Sequence, residues 1–99
     1  MWRQGDVLIQ RVDEVPEFCV RKDDLILARG EATGHSHRVA DLESAELYMG
    51  RDGDLFLSVT ADSATIVHDE HGPITLERGT YRVWKQREYT PEKPRSIED

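Results

Sequence analysis

The four histidines of this chain fall in two short stretches, Gly34-His35-Ser36-His37-Arg38 and Val67-His68-Asp69-Glu70-His71-Gly72. Alternate residues of a β-strand point to one face, so an extended 34–38 segment sets the His35 and His37 imidazoles side by side. In the second stretch Ala64, Ile66 and His68 share a face, and an inward Ile66 turns His68 inward with it. His71 lies in a turn closed by Gly72-Pro73, where it can fold back. Neutral imidazole is a common metal ligand, and three or four such donors suit Zn, Fe, Ni or Mn with a position left for water or substrate. His35, His37, His68 and His71 are therefore the candidate metal ligands, and Asp69 or Glu70 can stand in for His71. Two other readings use the same residues. In one, without metal, a histidine of each pair acts as general acid or general base, since imidazole titrates near neutral pH. In the other, His-Asp-Glu-His is the solvated tip of a hairpin.

The elements that must carry these side chains follow from the punctuation. Gly5, Pro16, Gly30, Gly34, Gly50, Gly53, Gly72, Pro73 and Gly79 leave few windows long enough for a helix, which predicts an all-β chain. Strands are expected over 7–12, 25–29, 31–39, 47–49, 55–60, 64–68, 74–76 and 80–89. The Asp52-Gly53 pair inside Arg51-Asp52-Gly53-Asp54 predicts a tight hairpin. Segment 40–46 reads either as a link or as one helical turn, with Leu42 and Glu46 four apart and Asp41 as its cap. Pro91 and Pro94 cannot continue a sheet interior. The expectation is a single β-barrel domain over 1–90, a small closed barrel or a sandwich, and an exposed tail over 91–99.

The strand over 80–89 alternates Tyr81, Val83, Lys85, Arg87 and Tyr89 with Arg82, Trp84, Gln86 and Glu88. If Tyr81 and Val83 face the core, then Lys85, Arg87 and Tyr89 continue that face to a barrel mouth, where they can bind a phosphate or carboxylate. The alternative is an edge strand whose charges block aggregation. His71, Glu70 and Lys85 are the candidate catalytic groups. Arg38 points away from His37 and reads as structural or interfacial. Two glycines in Gly30-Glu31-Ala32-Thr33-Gly34 do not make a phosphate loop, because no Lys-Ser/Thr pair and no helix follow. Trp2 and Trp84 read as packing residues and Cys19 as a small, at least half-buried hydrophobe.

Composition narrows the partners. The 99 residues hold 13 Lys and Arg against 20 Asp and Glu, a net charge of −7. Residues 41–99 hold 13 of the acidic groups and 7 of the basic ones. Such a chain repels phosphate backbones, so nucleic acid is not an expected partner. No apolar run approaches the roughly 18 residues of a membrane span. With one cysteine there is no intrachain disulfide and no thiolate cluster, which fits a reducing compartment. The opening residues, Met1-Trp2-Arg3-Gln4-Gly5-Asp6, carry no long apolar stretch, so the expected location is cytoplasmic.

Gly34 and His35-x-His37 on a strand, followed by a further histidine, a Gly-Pro turn and a Gly-x-Tyr strand, resemble the metal-binding arrangement of the cupin superfamily. That resemblance implies a β-barrel in which His35, His37 and His68 bind a metal, with Glu43 or Glu46 as the carboxylate ligand. The chain from Gln4-Gly5-Asp6-Val7 through Gly30–Gly34 and the His pair to Gln86-Arg87-Glu88-Tyr89-Thr90-Pro91 also resembles a widespread set of small bacterial proteins without an assigned activity. Gly5-Asp6-Val7-Leu8-Ile9-x-Arg11-Val12 is similar to the opening strand of co-chaperonin barrels, a likeness of fold only. The leading expectation is a barrel that binds one divalent metal and acts on a small anionic substrate held by Lys85 or Arg87. The alternatives are a metal-independent phosphodiesterase or nucleotide-binding protein, and a non-enzymatic adaptor that pairs through an edge strand into a homodimer.

Overall fold

A computed structural model describes residues 1–29 and 34–86. Eight antiparallel strands form one sheet that curls into a half-barrel, so the all-β expectation holds. They are β1 (Trp2–Gln4), β2 (Val7–Val12), β3 (Val20–Arg21), β4 (Ile26–Arg29), β5 (Ser36–Val39), β6 (Ala45–Met49), β7 (Leu55–Val67) and β8 (Ile74–Lys85). The tail expected over 91–99, and with it the proposed roles of Arg87 and Tyr89, lies outside the described residues.

The sheet is organised by β7. Its 13 residues pair with β8 along one edge, from Leu55↔Val83 to Ile66↔Ile74. On the other edge its first half takes β6, from Ala45↔Val59 to Met49↔Leu55, and its far end takes β5 through Arg38↔Val67 and Val39↔Ile66. The sheet therefore forks, with β3 beyond β6 and β4 beyond β5. Alternation puts Leu57, Val59, Ala64 and Ile66 of β7, Leu76, Tyr81 and Val83 of β8, and Val7 and Ile9 of β2 in the concave core.

Two expected breaks are absent. Strands 55–60 and 64–68 are one continuous strand, and so are 74–76 and 80–89 as far as Lys85. The polar 60–63 stretch looks like a turn but is a bulge, where the register moves from Val59↔Gly79 to Ser63↔Glu77. The bulge is tied in place. Thr60 and Ala61 both donate their N–H to the Ser44 carbonyl, and Arg78 donates to the Ala61 carbonyl and to Asp62. Segment 40–46 is not a helical turn: Asp41 accepts the Glu43 N–H on its side chain and the Ser44 N–H on its carbonyl, and β6 starts at Ala45. The Asp-Gly hairpin is present, joining β6 to β7 with Gly53 at φ 85°. Strands β1 and β3, three and two residues long, are too short to show a period.

Because both halves of the fork depend on β7, its core residues should be the least tolerant of truncation. Leu57, fully buried, should lose about 2–5 kcal/mol on replacement by alanine, read as a lower urea midpoint at unchanged slope.

Candidate functional site

The four histidines come from three places in the fork. His35 precedes β5, His37 lies within it, and His68 and His71 lie between β7 and β8. Pairing of Arg38 with Val67 brings the end of β5 against the end of β7, so the two His stretches must meet. Ring centroids of His37 and His68 are 4.1 Å apart, those of His68 and His71 4.7 Å, and those of His35 and His68 5.8 Å. His37 and His71 lie nearly parallel at 6.1 Å. His37 is buried, His35 and His68 are half-buried, and His71 is exposed.

A third element, the β1–β2 hairpin, forms one wall of the site. Gln4 pairs with Val7, so Gly5-Asp6 is a two-residue turn, and Gly5 supplies its positive φ of 61°. The turn also needs glycine for room, since a Cβ at residue 5 would stand 2.7 Å from His71 Nε2. Gln86 donates its N–H to the Asp6 carbonyl at 2.8 Å, which pins the turn to the end of β8.

Gln4 decides the state of His37. Its buried amide donates to two carbonyls, Ile66 at 3.1 Å and Gly72 at 2.8 Å. Both partners only accept, so they take the amide hydrogens and leave Oε1 facing His37 Nδ1 at 2.8 Å. Nδ1 must therefore be the donor. In the neutral ring Nε2 then carries a lone pair, and it faces Asp6 Oδ1 at 3.7 Å, beyond hydrogen-bond range. The other Asp6 oxygen is 3.8 Å from Lys85 Nζ. Burial, first, and the neighbouring His68 hold the His37 pKa down at about 4, against the ordinary 6.5; His71 and Lys85 push the same way and Asp6 opposes them.

His68 is set in the opposite sense. Its Nδ1 accepts the Glu70 N–H at 3.0 Å, so in the neutral ring its hydrogen is on Nε2. His35 lies between two carboxylates, 3.7 Å from Asp69 and 3.8 Å from Glu70, and Arg38 holds Asp69 at 3.3 Å. Arg38 thus has the structural part expected of it. As oriented, no three His, Cys, Asp or Glu side chains among the described residues make a ready coordination set.

Lys85 follows Tyr81 and Val83 on the inward face of β8 and reaches Asp6, while its stem lines a cavity of about 430 Å³ with Leu27, Asp54, Arg82 and Trp84. A second cavity, about 310 Å³, lies between β3, β4 and β6 and has no histidine in its wall. Glu43 and Glu46 are not at the histidines: Glu43 is in the exposed 41–43 stretch, and Glu46 accepts from Tyr48 and pairs with Arg21. The carboxylates beside the histidines are Asp6, Asp69 and Glu70. Gln4 and Asp6 escape a search for ligand spacings, because they sit some thirty residues before the first His pair. The signal available was a glutamine and an aspartate flanking a hairpin glycine at the start of an alternating strand.

Residues 3–86 match a family described as a domain of unknown function, DUF8820. The chain belongs to that family. The matched span takes in Gln4, Asp6, all four histidines and Lys85 of this DUF8820 chain, and no cupin family is found. No curated protein and no solved structure matches it. No helix among the described residues is long and apolar enough to cross a membrane.

Two outcomes follow from the state of His37. Between pH 6.5 and about 4 the unfolded chain binds a proton on this ring that the folded chain does not, so stability falls as pH drops through that window. The His37 contribution is at most about 3 kcal/mol, and comparing urea midpoints of wild type and His37→Asn at pH 7.5 and 4.5 isolates it. Replacing Gln4 by methionine leaves two carbonyls and Nδ1–H without their partner, which should cost about 1–3 kcal/mol. Long-range ¹H–¹⁵N spectra should show a single Nδ1–H tautomer for His37 in wild type and a mixture in Gln4→Met.

Proposed function

We propose that this protein binds one divalent metal ion through His37, His68 and His71, with His35 at the rim, and that the ion acts on a small anionic substrate. The observation that carries the reading is His37 itself: buried, uncharged at neutral pH, and presenting an Nε2 lone pair because Gln4 occupies Nδ1. A histidine ligand must be neutral, and its other nitrogen is ordinarily held by an outer hydrogen-bond partner. A general base works best with a pKa near the working pH, and a ring held near 4 falls well short of that. Burial and the neighbouring imidazoles thus disfavour His37 as a base while leaving it able to bind metal.

The remaining donors need reorientation. His71 is exposed, with its ring against Gly5 and 4.7 Å from that of His68, and it must turn within those contacts. His68 must exchange its Glu70 N–H contact for the metal or turn its ring to offer Nδ1 inward. Asp69 and Glu70 beside His35 add the negative potential that favours a cation. A bound Zn, Fe, Ni or Mn ion would supply Lewis acidity or an activated water. The cupin-like order of two histidines on one strand and a third on a later one agrees with this reading, which does not need cupin kinship. Lys85 is the cation suited to the substrate's negative charge, next to the 430 Å³ cavity. The cytoplasmic location and a homodimer remain expectations drawn from the amino-acid sequence.

One observation favours a metal-free reading. His68 offers Nε2–H as a donor to a phosphate-ester oxygen beside Lys85, while the His37 Nε2 lone pair can accept only from a hydroxyl, such as an attacking water. The two readings part on metal content. Protein purified without a His tag and loaded with Zn(II) should carry about one ion per chain, and His35→Ala/His37→Ala should carry almost none. Metal well below one per chain in wild type overturns the metal reading, and phosphate-ester binding that persists in chelator would favour the other.

A further inference from the structure

Gly5 and Asp6 have no part in the metal reading as stated, yet their turn stands against the most rigidly held histidine. Asp6 Oδ1 and His37 Nε2 are 3.7 Å apart. The Gln4 oxygen takes the Nδ1 hydrogen of His37, so Nε2 is the ring nitrogen left to face Asp6. A ring nitrogen and a carboxylate oxygen, each able to bind a cation, thus face each other. A water donating to both would have to do so across an acute angle, narrower than its two O–H bonds span. Two donors each about 2.1 Å from one tetrahedral ion stand about 3.4 Å apart, close to the observed separation.

The backbone holds this geometry firmly. The turn closes in two residues, Gln86 fixes the Asp6 carbonyl, and Gln4, adjacent to the turn, is the residue that orients His37. Lys85 lies on the far oxygen, Oδ2, so its charge does not occupy the space between Oδ1 and Nε2. His71 Nε2 lies against Gly5, where any larger residue would displace it. The hairpin therefore holds a carboxylate and a fixed imidazole beside a second, exposed imidazole, which must turn before the three make a coordination set.

We propose that Asp6 is the carboxylate ligand of the divalent ion, completing with His37 and His71 a two-histidine, one-carboxylate core to which His68 is the adjustable fourth donor. This deepens the metal reading and rests on it. It also assigns Gly5 a role in seating His71 and Gln4 a positioning role through His37 Nδ1. A mixed nitrogen and oxygen set is harder than four imidazoles and moves the preference toward Fe, Mn or Zn and away from Cu.

The test compares Zn(II) affinity, by chelator competition, in wild type, Asp6→Asn and Asp62→Asn. The last removes one carboxylate from the surface bulge, where Asp62 pairs only with Arg78 among the contacts described. Asp6→Asn should weaken binding by about tenfold or more, and Asp62→Asn should stay within about twofold. In ¹³C- and ¹⁵N-labelled wild type, the Asp6 carboxyl resonance and the His37 Nε2 resonance should move together and stop moving at one equivalent of Zn(II). This measurement needs no variant, so it decides the matter if Asp6→Asn does not fold. One ion bound by wild type with a stationary Asp6 carboxyl resonance overturns the proposal and leaves the metal reading standing. No ion bound by wild type overturns both.

Discussion

The site depends on the amide of Gln4, a buried group with three hydrogen-bonding positions and three partners. Its two N–H groups go to carbonyls at the end of β7 and in the β7–β8 loop, and its oxygen takes the Nδ1–H of β5. One side chain of β1 thus joins three separate segments. An unpaired buried amide would cost about 1–3 kcal/mol, so each of these bonds is needed by the others. The consequence for His37 is chemical as well as mechanical, because fixing Nδ1 as the donor makes Nε2 the acceptor in the neutral ring. Substituting glutamate at this position would leave both carbonyls without a donor, which is why a neutral amide suits the place and a carboxylate does not.

That clasp works only because β7 delivers Ile66 and His68 to the right end of the sheet. A 13-residue strand that changes partner midway has to bend, and the bulge between Val59 and Ser63 is where it does so. The bend lets β6 and β5 leave the same edge in different directions, and the sheet curls into a half-barrel instead of extending flat. Inward-facing residues of both limbs then make one apolar core, with the polar groups collected at the end where β5, β7, β8 and the β1–β2 turn converge.

Much of this was legible in the residues. Alternation in 7–12 and 64–68, the Asp-Gly hairpin and the inward direction of His68 all follow from period and turn chemistry, which are local. The bulge was not, because Thr60-Ala61-Asp62-Ser63 has the polar look of a turn and only its bonds to Ser44 and Arg78 keep it in the strand. Nor was β1, whose three residues are held by pairing with β2 and by the Gln4 clasp. For the site, spacing exposed the two His pairs but could not expose Gln4 or Asp6. Their contribution depends on a hairpin at one end of the chain meeting a strand more than thirty residues away, and no local pattern records such a meeting.

The arrangement of charge bears on which chemistry the histidines suit. Four imidazoles this close cannot all be protonated without strong mutual repulsion, and the groups around them divide by position. Carboxylates stand at the rim, with Asp69 and Glu70 beside His35, while Arg38 is turned onto Asp69 and Lys85 onto Asp6. Arg38 and Lys85 are thus already partnered by carboxylates, and His37 Nε2 faces a carboxylate oxygen instead of a positive group. An anion entering here would displace a carboxylate from Lys85 before gaining any attraction. A cation would meet the free nitrogen of His37, a carboxylate oxygen and an exposed imidazole. The geometry around His37 therefore favours a positive ion as first occupant, with any anionic substrate binding afterwards against that ion and Lys85.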